Sequence, residues 1–230
     1  MAVGSTLYLS YVVGNSTAYL TASTNGTTWA RPVAVAVPSG TLVDSPALGT
    51  VNNFLYVGLH NNSSKTILVC HFQTLGAPTP LSSVCYNPPT GSTYGPGLVG
   101  YNNSLYTFFE YNDSAHTINY YVSPVNQDGS LSQFNLMADT NVQTSAQPAV
   151  VVNGNSILLA YRSNDASAHF DYKFYTAGSG WSANTSTTFG ISGAPALTSG
   201  GPQFPYITTA YFGANASPYI LNYSSYQTPQ

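Results

Sequence analysis

Charge is what this sequence lacks most. Only 5% of its 230 residues are charged, with 4 Lys or Arg and 7 Asp or Glu, whereas about a quarter is usual for a globular chain. Only 4 cations cannot form the electropositive surface that nucleic acids require, and they are too few to hold the chain on an anionic membrane surface. Nucleic-acid binding is therefore not expected.

Long apolar runs and a targeting signal are also missing. No segment approaches the roughly 18 apolar residues of a membrane-spanning helix, so membrane insertion is not expected. The basic stretch and the apolar stretch of a secretory signal do not follow Met1. This favours a cytoplasmic protein, and it also fits a secreted or surface protein whose chain begins at its mature start.

Cysteine and metal-ligand patterns are equally sparse. Cys70 and Cys85 are the only two cysteines. We expect two buried thiols, with a disulfide between neighbouring strands as the alternative, because a chain of this length does not need a cross-link. The four histidines fall in different segments with no metal-ligand spacing, so neither a metal nor another cofactor is expected.

What the sequence has instead is apolar and uncharged polar material arranged in a repeat. It contains 43% hydrophobic residues, 19 Tyr, 20 Gly and 15 Pro. Four segments begin alike, at Pro46, Pro96, Pro148 and Pro195, and each continues with an apolar run, a polar loop, a second apolar run and in most cases a turn. The first residues of the chain resemble a fifth, trimmed copy. Asn-Gly and Gly-rich turns between apolar runs indicate hairpins, and helix signals are missing.

The repeat predicts an all-β fold. Each copy offers about four short strands in about 45 to 50 residues, which is the size of a propeller blade. We therefore predict a single domain, a five-bladed β-propeller; a β-sandwich or a parallel solenoid is the alternative. The five repeats are predicted at about 1–43, 44–93, 94–145, 146–192 and 193–230.

One turn carries a family resemblance. Residues 23–29, Ser-Thr-Asn-Gly-Thr-Thr-Trp, resemble the Asp-box hairpin of the sialidase-like and tandem-repeat lectin propellers of fungi and bacteria. Asn25 stands where the box has Asp, with one residue fewer before Gly26. The resemblance implies a sugar-binding β-propeller. Its fucose-binding members read their sugar with an Arg, a Glu and a Trp in each blade; this chain has two Arg and one Glu, so that chemistry does not repeat here.

Two loops repeat an Asn-Asp pair followed by a His, in Tyr111–His116 and Ser163–His169. In a propeller, loops at this point of a blade emerge on the face that holds the central depression. The strands before such loops end in three ionisable residues at matching positions. We therefore predict ligand binding on this face by nine residues: Asn112, Asp113, His116, Asn164, Asp165, His169, His60, Glu110 and Arg162.

Structural explanations for these residues stay open. Asn and Asp are favoured in turns because their side chains bond the local backbone. Glu110 and Arg162 could instead form an ion pair between neighbouring blades. Trp29 and Trp181 are expected in the core, where aromatic rings supply much of the buried apolar area.

The chemistry of the predicted face suits sugars. Sugars present hydroxyl groups and apolar C–H patches, which amide, hydroxyl and carboxylate side chains and aromatic rings match. Weak sites repeated around a ring gain strength through multivalency. We therefore predict a non-enzymatic, multivalent lectin whose partners are glycans or glycoproteins. Fewer than five ligands should bind, because only two loops keep the Asn-Asp-His pattern.

Two other functions remain open at this point. A five-bladed glycoside hydrolase would need two carboxylates roughly 5 to 10 Å apart, for which Asp44 with Glu110 or with Asp165 is the available choice. A structural or adhesion module without a small ligand also fits the low charge.

The last repeat predicts an exposed edge. It ends just after its third strand, and none of the Lys or Glu residues that usually block such an edge is there. We therefore expect a homodimer through the last blade.

Overall fold

The fold is all-β. In a computed structural model of the chain, the described residues are 1–14, 16–38, 41, 43–73, 84–89, 91–137, 140–199, 206–212 and 221–227. Every regular element within these ranges is a β-strand, which confirms the predicted class. The described part of the chain contains no helix that is long and apolar enough to cross a membrane.

The strands of the described residues form five antiparallel sheets, each in chain order. The first sheet contains β1 (Ala2–Val3), β2 (Thr6–Val13), β3 (Thr17–Ser23) and β4 (Val33–Ala34). The second contains β5 (Val43–Val51), β6 (Phe54–Asn61), β7 (Thr66–Gln73) and β8 (Cys85–Tyr86). The third contains β9 (Gly97–Tyr101), β10 (Ser104–Glu110), β11 (Ile118–Pro124) and β12 (Asn135–Met137).

The fourth and fifth sheets depart from the four-strand pattern. The fourth contains β13 (Ala149–Asn153), β14 (Ser156–Arg162), β15 (His169–Thr176) and β16 (Gly180–Trp181). Its additional strand β17 (Thr185–Gly190) also pairs with β15. The fifth contains β18 (Ala196–Ser199), β19 (Tyr206–Phe212) and β20 (Leu221–Gln227).

The first strands of the five sheets surround one central cavity. Its volume is about 720 Å³, and residues of β1, β5, β9, β13 and β18 line it. Neighbouring first strands approach closely at glycines. A Cβ at Gly100 would lie 1.9 Å from the carbonyl oxygen of Thr50, and a Cβ at Gly49 would lie 2.7 Å from the Cβ of Leu98. This close approach explains why the first strands are built from small and apolar residues.

The hydrophobic core lies between neighbouring sheets. One cluster joins the first and second sheets, another the second and third, and another the third and fourth. They include Leu20 with Leu55, Tyr56 with Leu105, and Phe108 with Leu159, in that order. The second strands of the second, third and fourth sheets are buried almost throughout, and their sequences are correspondingly apolar, as in Phe54–Asn61.

The two tryptophans differ in burial. Trp181 packs among aromatic rings of the third and fourth sheets, with its ring 5.9 Å from that of Phe108 and 5.8 Å from that of Tyr120. Trp29 is 40% exposed, after a turn in which the side-chain oxygen of Asn25 accepts two backbone N–H groups. A core position is therefore confirmed for Trp181 and wrong for Trp29.

A disulfide corrects the expectation of two free thiols. Cys70 in β7 and Cys85 in β8 are directly opposite partners of adjacent strands, and their sulfur atoms are bonded. The expectation weighed chain length alone, whereas the register brings the two Cα atoms to 4.1 Å. The bond ties β8, a strand of only 2 residues, to the sheet.

Removing this disulfide is expected to destabilise the protein. The two cysteines are 15 residues apart, and cross-linking a loop of about 15 residues stabilises a protein by about 3 kcal/mol through the entropy of the unfolded chain. We expect the double variant Cys70→Ser, Cys85→Ser to lose about that much free energy of unfolding in urea. An unchanged urea midpoint under oxidising conditions would show that the bond contributes nothing.

His71 is buried where the second sheet meets the third. It is 7% exposed, its ring lies 6.3 Å from the rings of Tyr56 and Tyr86, and its Nδ1 has no hydrogen-bond partner among the described residues. Burial lowers the pKa of His71 from its ordinary value of 6.5, although the carboxylate of Asp128 acts in the opposite direction. The folded protein therefore favours the neutral ring.

This burial predicts a loss of stability on the acid side of neutrality. Below the ordinary pKa of 6.5 the unfolded chain binds a proton on His71 that the folded chain resists, so the free energy of unfolding falls as the pH drops from there toward the lowered pKa. The slope for one proton is at most about 1.4 kcal/mol per pH unit. Urea titrations of the His71→Phe variant should give a flatter profile below neutrality; a profile identical to that of the wild type would assign the acid sensitivity to another group.

The outer edge of the fifth sheet is open within the described residues. β20 pairs only with β19 there, in line with the three-strand last repeat. Residues 213–220 and 228–230, which include the loop of the last repeat and the C-terminal Pro229, lie outside the described residues. The homodimer through this edge stays a prediction.

Candidate active site

Three side chains at the ends of second strands form hydrogen bonds with neighbouring segments at one edge of the molecule. His60 in β6, Glu110 in β10 and Arg162 in β14 occupy the matching positions that the repeat predicts. His60 and Glu110 are only 1% and 0% exposed. Each of the three side chains bonds a segment that leads into a first strand. This edge therefore carries both the loops after the second strands and the entries to the first strands.

His60 contacts two oxygen atoms at once. Its Nδ1 lies 2.8 Å from Oδ1 of Asp44, and its Nε2 lies 2.9 Å from the carbonyl oxygen of Ser92. A carbonyl oxygen only accepts hydrogen bonds, so Nε2 donates to Ser92. Nδ1 lies within hydrogen-bond distance of Oδ1, so the ring holds the Asp44 carboxyl group in place.

A backbone irregularity positions Asp44. The pairing of β5 with β6 shifts register between Asp44 and Ala47, and Ser45 has a positive φ of 47°. Bulges of this kind re-aim a side chain, and non-glycine residues in the left-handed region concentrate in tight turns and functional segments. The Asp44 side chain remains 31% exposed. Pro46, two residues further on, lines the central cavity.

Glu110, the only glutamate of the chain, is buried with both oxygen atoms bonded. Its Oε2 accepts the backbone N–H of Thr93 at 2.6 Å, and its Oε1 lies 2.6 Å from Nδ1 of His116. The His116 side chain is 37% exposed, and its Nε2 makes no hydrogen bond among the described residues. A carboxylate that holds one nitrogen of an imidazole fixes the orientation of the ring, as in the dyads of hydrolases.

One peptide group connects the two pairs. The carbonyl group of Ser92 accepts from His60, and the N–H of Thr93, which belongs to the same peptide bond, donates to Glu110. We call the resulting series the acid–imidazole chain: Asp44, His60, the 92–93 peptide, Glu110 and His116. Its two ends are its exposed members, and they belong to the second and the third sheet.

The two loop aspartates, Asp113 and Asp165, stabilise their own turns. Oδ1 of each accepts the backbone N–H groups of the residues two and three positions further along. Both aspartates thus build their own turns, which is the structural alternative that the sequence left open for them.

The two loop histidines are not equivalent. His116 has a positive φ of 55°, and the residue with the same conformation in the next loop is Ala168, with a φ of 48°. His169 instead begins β15 and matches Thr117. The predicted Asn-Asp-His repeat is therefore wrong in its last member, because the second loop has one residue more before its His.

Arg162 makes different contacts from the ion pair considered for it. Its Nε donates to the carbonyl oxygen of Ile191 at 2.8 Å, and its NH1 nitrogen donates to the hydroxyl of Ser145. Glu110 pairs with His116 instead. The explanation of Glu110 and Arg162 as an ion pair is therefore wrong.

Four of the predicted residues gather around the 92–93 peptide. They are His60, Glu110, His116 and Asn112, whose side-chain oxygen accepts a hydrogen bond from the Thr93 hydroxyl at 3.3 Å. The predicted residues from 162 onward lie in the fourth sheet or its loop. The nine predicted ligand-binding residues do not include Asp44, which the sequence offered only for the glycoside-hydrolase alternative, or Ser92, which contributes only a backbone oxygen.

The described residues contain no cluster of three or more His, Cys, Asp or Glu side chains that could hold a metal ion. The acid–imidazole chain pairs its ionisable groups two by two instead. Carboxyl and imidazole groups paired in this way are able to transfer protons between oxygen and nitrogen atoms.

The sequence matches no protein-family model and no curated protein. Solved structures do match the fold. An exo-β-1,3-galactanase from Phanerochaete chrysosporium with galactose is 14% identical at a TM-score of 0.59, over 98% of this chain and 58% of its own. The chain thus spans little more than half the length of that enzyme.

Two further glycosidases match over most of their own length. An α-L-arabinofuranosidase from Clostridium thermocellum is 12% identical with a TM-score of 0.58, over 95% of this chain and 82% of its own. An endo-arabinanase from Bacillus licheniformis is 11% identical with a TM-score of 0.53, over 98% of this chain and 91% of its own. These glycoside hydrolases are β-propellers.

The comparisons confirm the β-propeller fold and correct the predicted function. The composition and the repeated loops, together with the family resemblance, predicted a non-enzymatic, multivalent lectin, whereas the matching propellers are sugar-cleaving enzymes. The prediction weighed the uncharged surface and the repeated loops, and those loops are turns built by Asp113 and Asp165. The chain is therefore similar in fold to the glycoside-hydrolase propellers.

Proposed function

We propose that this protein is a glycoside hydrolase on a five-bladed β-propeller, with one blade for each of the five predicted repeats and its active centre at the acid–imidazole chain. Five sheets around one cavity support the blade count. One observation carries the function: two adjacent sheets present an acid and an imidazole at the same edge, each held by a buried partner. The likeness in fold to enzymes that act on galactan and arabinan supports a neutral glycan as substrate.

The exposed ends of the acid–imidazole chain supply the two groups that hydrolysis needs. Cleavage of a glycosidic bond by water requires a base for the water and an acid for the leaving oxygen. Asp44 suits the base, because His60 holds its Oδ1 and its Oδ2 makes no hydrogen bond among the described residues. His116 suits the acid, because Glu110 holds its Nδ1 and its Nε2 is left to donate.

The proposed reaction adds one water molecule across the glycosidic bond. Oδ2 of Asp44 takes a proton from the water as the water oxygen attacks the anomeric carbon. The bond between the anomeric carbon and the glycosidic oxygen breaks, and Nε2 of His116 gives its proton to that oxygen. Proton exchange with solvent then restores both groups.

The buried members of the acid–imidazole chain hold Asp44 and His116 in position before the substrate binds. Hydrogen bonds to charged groups contribute about 1.5–3 kcal/mol each, and Glu110 receives them from two directions. Because Glu110 is 0% exposed, it acts on the substrate only through His116. Groups that are fixed before the reaction stabilise developing charge without reorganising.

A hydrolysis assay tests the proposal. The protein is incubated with β-1,3-galactotriose, arabino-oligosaccharides and chromogenic glycosides of neutral sugars, and the products are separated by anion-exchange chromatography. The proposal is supported if the wild type releases a sugar and the Asp44→Asn variant releases much less of it. Failure of the folded wild type to cleave any of these substrates would refute it.

A further inference from the structure

A second polar groove lies beside the acid–imidazole chain, between the third and fourth sheets. Its volume is about 460 Å³, within the range of ligand-binding clefts. One wall is the segment that leads from the third sheet to the fourth, at residues 141–143, and the other is the loop of Asn164 and Asp165. Thr117, the neighbour of His116, lines its near end. The groove therefore begins at the residue that follows His116 in the chain.

A fixed series of polar groups forms one side of this groove. The hydroxyl of Tyr161 donates to the side-chain oxygen of Asn184 at 2.6 Å, and the amide nitrogen of Asn184 donates to Oδ2 of Asp171 at 3.2 Å. Burial, with the charge of Asp171 as a further cause, raises the pKa of Tyr161. The tyrosine thus stays a donor at neutral pH, and both ends of the Asn184 amide have assigned roles.

The groove carries negative charge and no cationic side chain. Asp171 is only 5% exposed, and its oxygen atoms accept from two neutral donors, Asn184 and Ser186. Burial acts to raise the pKa of Asp165, but hydrogen bonds from Ser163 and from backbone amides outweigh it and lower the pKa. No Lys, Arg or His is among the described residues that line the groove. A ligand with its own negative charge would therefore be repelled, while hydroxyl groups can donate to both carboxylates.

We propose that this groove is a distal subsite that holds one or two sugar units of a neutral oligosaccharide whose scissile bond lies at the acid–imidazole chain. The inference rests on the proposed function and names its substrate class more closely: uncharged glycans of at least three units. The amide of Asn164 supplies donors and an acceptor at the rim, and the two aspartates accept sugar hydroxyls. Acidic sugars such as sialic acid are excluded by charge.

The test measures binding, so that it does not depend on cleavage. Calorimetry in the Asp44→Asn background compares galactotriose and arabinotriose with sialyllactose. We expect the Asn164→Ala variant to weaken binding of the better neutral trisaccharide by about three- to tenfold, the effect of one lost hydrogen bond. The Asn164→Trp variant, which fills the groove, should weaken it further. Asn62→Ala is the matched control, because Asn62 has the same loop position in the second sheet and does not line the groove.

Three results would overturn the subsite. They are unchanged trisaccharide affinity in both Asn164 variants, sialyllactose binding as tight as that of the neutral sugars, and binding of calcium chloride that Asp165→Asn abolishes, which would make the groove a cation site. Failure of the proposed function has a different signature, since the wild type would then cleave none of the neutral substrates whatever the groove binds.

Discussion

The Asp44→Asn variant should fold like the wild type and lose glycosidase activity by about 10²- to 10⁴-fold in kcat, the contribution usual for one general acid or base. Asparagine keeps the size of the side chain, and its amide group can still form a hydrogen bond with Nδ1 of His60, but it cannot take a proton from water. Because the Asp44 side chain is 31% exposed and asparagine can keep a hydrogen bond to His60, the melting temperature should change little. Initial rates on the best substrate and a thermal melt measure the two effects.

Asp128 provides the control for this result. It is an exposed turn aspartate that accepts hydrogen bonds from Ser130, in the hairpin between β11 and β12. The Asp128→Asn variant should keep wild-type kcat. Equal losses in Asp44→Asn and Asp128→Asn would show that the chain loses activity through a general effect and not through a base at position 44.

The Gly100→Ala variant should lose about 3 kcal/mol or more of its free energy of unfolding. The added Cβ would lie 1.9 Å from the carbonyl oxygen of Thr50, so the first strands of two neighbouring sheets must move apart. Overpacking against side chains costs typically 1–3 kcal/mol, and a backbone atom yields less than a side chain. For a chain of this size the melting temperature should fall by roughly 6–12 °C.

Gly193 is the matched control for Gly100. A Cβ at Gly193 would meet nothing within 4 Å, and no positive φ restricts the residue. The Gly193→Ala variant should therefore change stability by no more than about 1 kcal/mol. If the Gly100→Ala and Gly193→Ala variants had the same melting temperature, the first strands would not pack around the cavity as closely as described.

The sheets were predictable because every copy of the repeat has the same pattern of strands and turns. Apolar runs of strand length separated by Gly and Asn turns occur in each copy, and their order along the chain is their order in each sheet. The matching positions of His60, Glu110 and Arg162 followed from the same periodicity. Local pattern is sufficient where neighbours in sequence are also neighbours in space.

The contacts of the site were not predictable in the same way. The bond from His60 to Ser92 joins residues 32 apart, and Asp44 reaches His60 through a register shift that alternation cannot reveal. Equating His116 with His169 failed because the His stands one position later in a loop of the same length, so Ala168 has the left-handed conformation there. The disulfide likewise depended on the register of β7 and β8. Each of these features is set by pairing between strands.

A crystal structure of the Asp44→Asn variant with a bound neutral trisaccharide tests the central claim most directly. We expect a sugar unit over the end of the acid–imidazole chain, with its glycosidic oxygen within about 3.2 Å of Nε2 of His116 and its anomeric carbon on the side of residue 44. The remaining units should extend into the groove of Asn164. A trisaccharide that is bound elsewhere and touches neither His116 nor residue 44 would contradict the account.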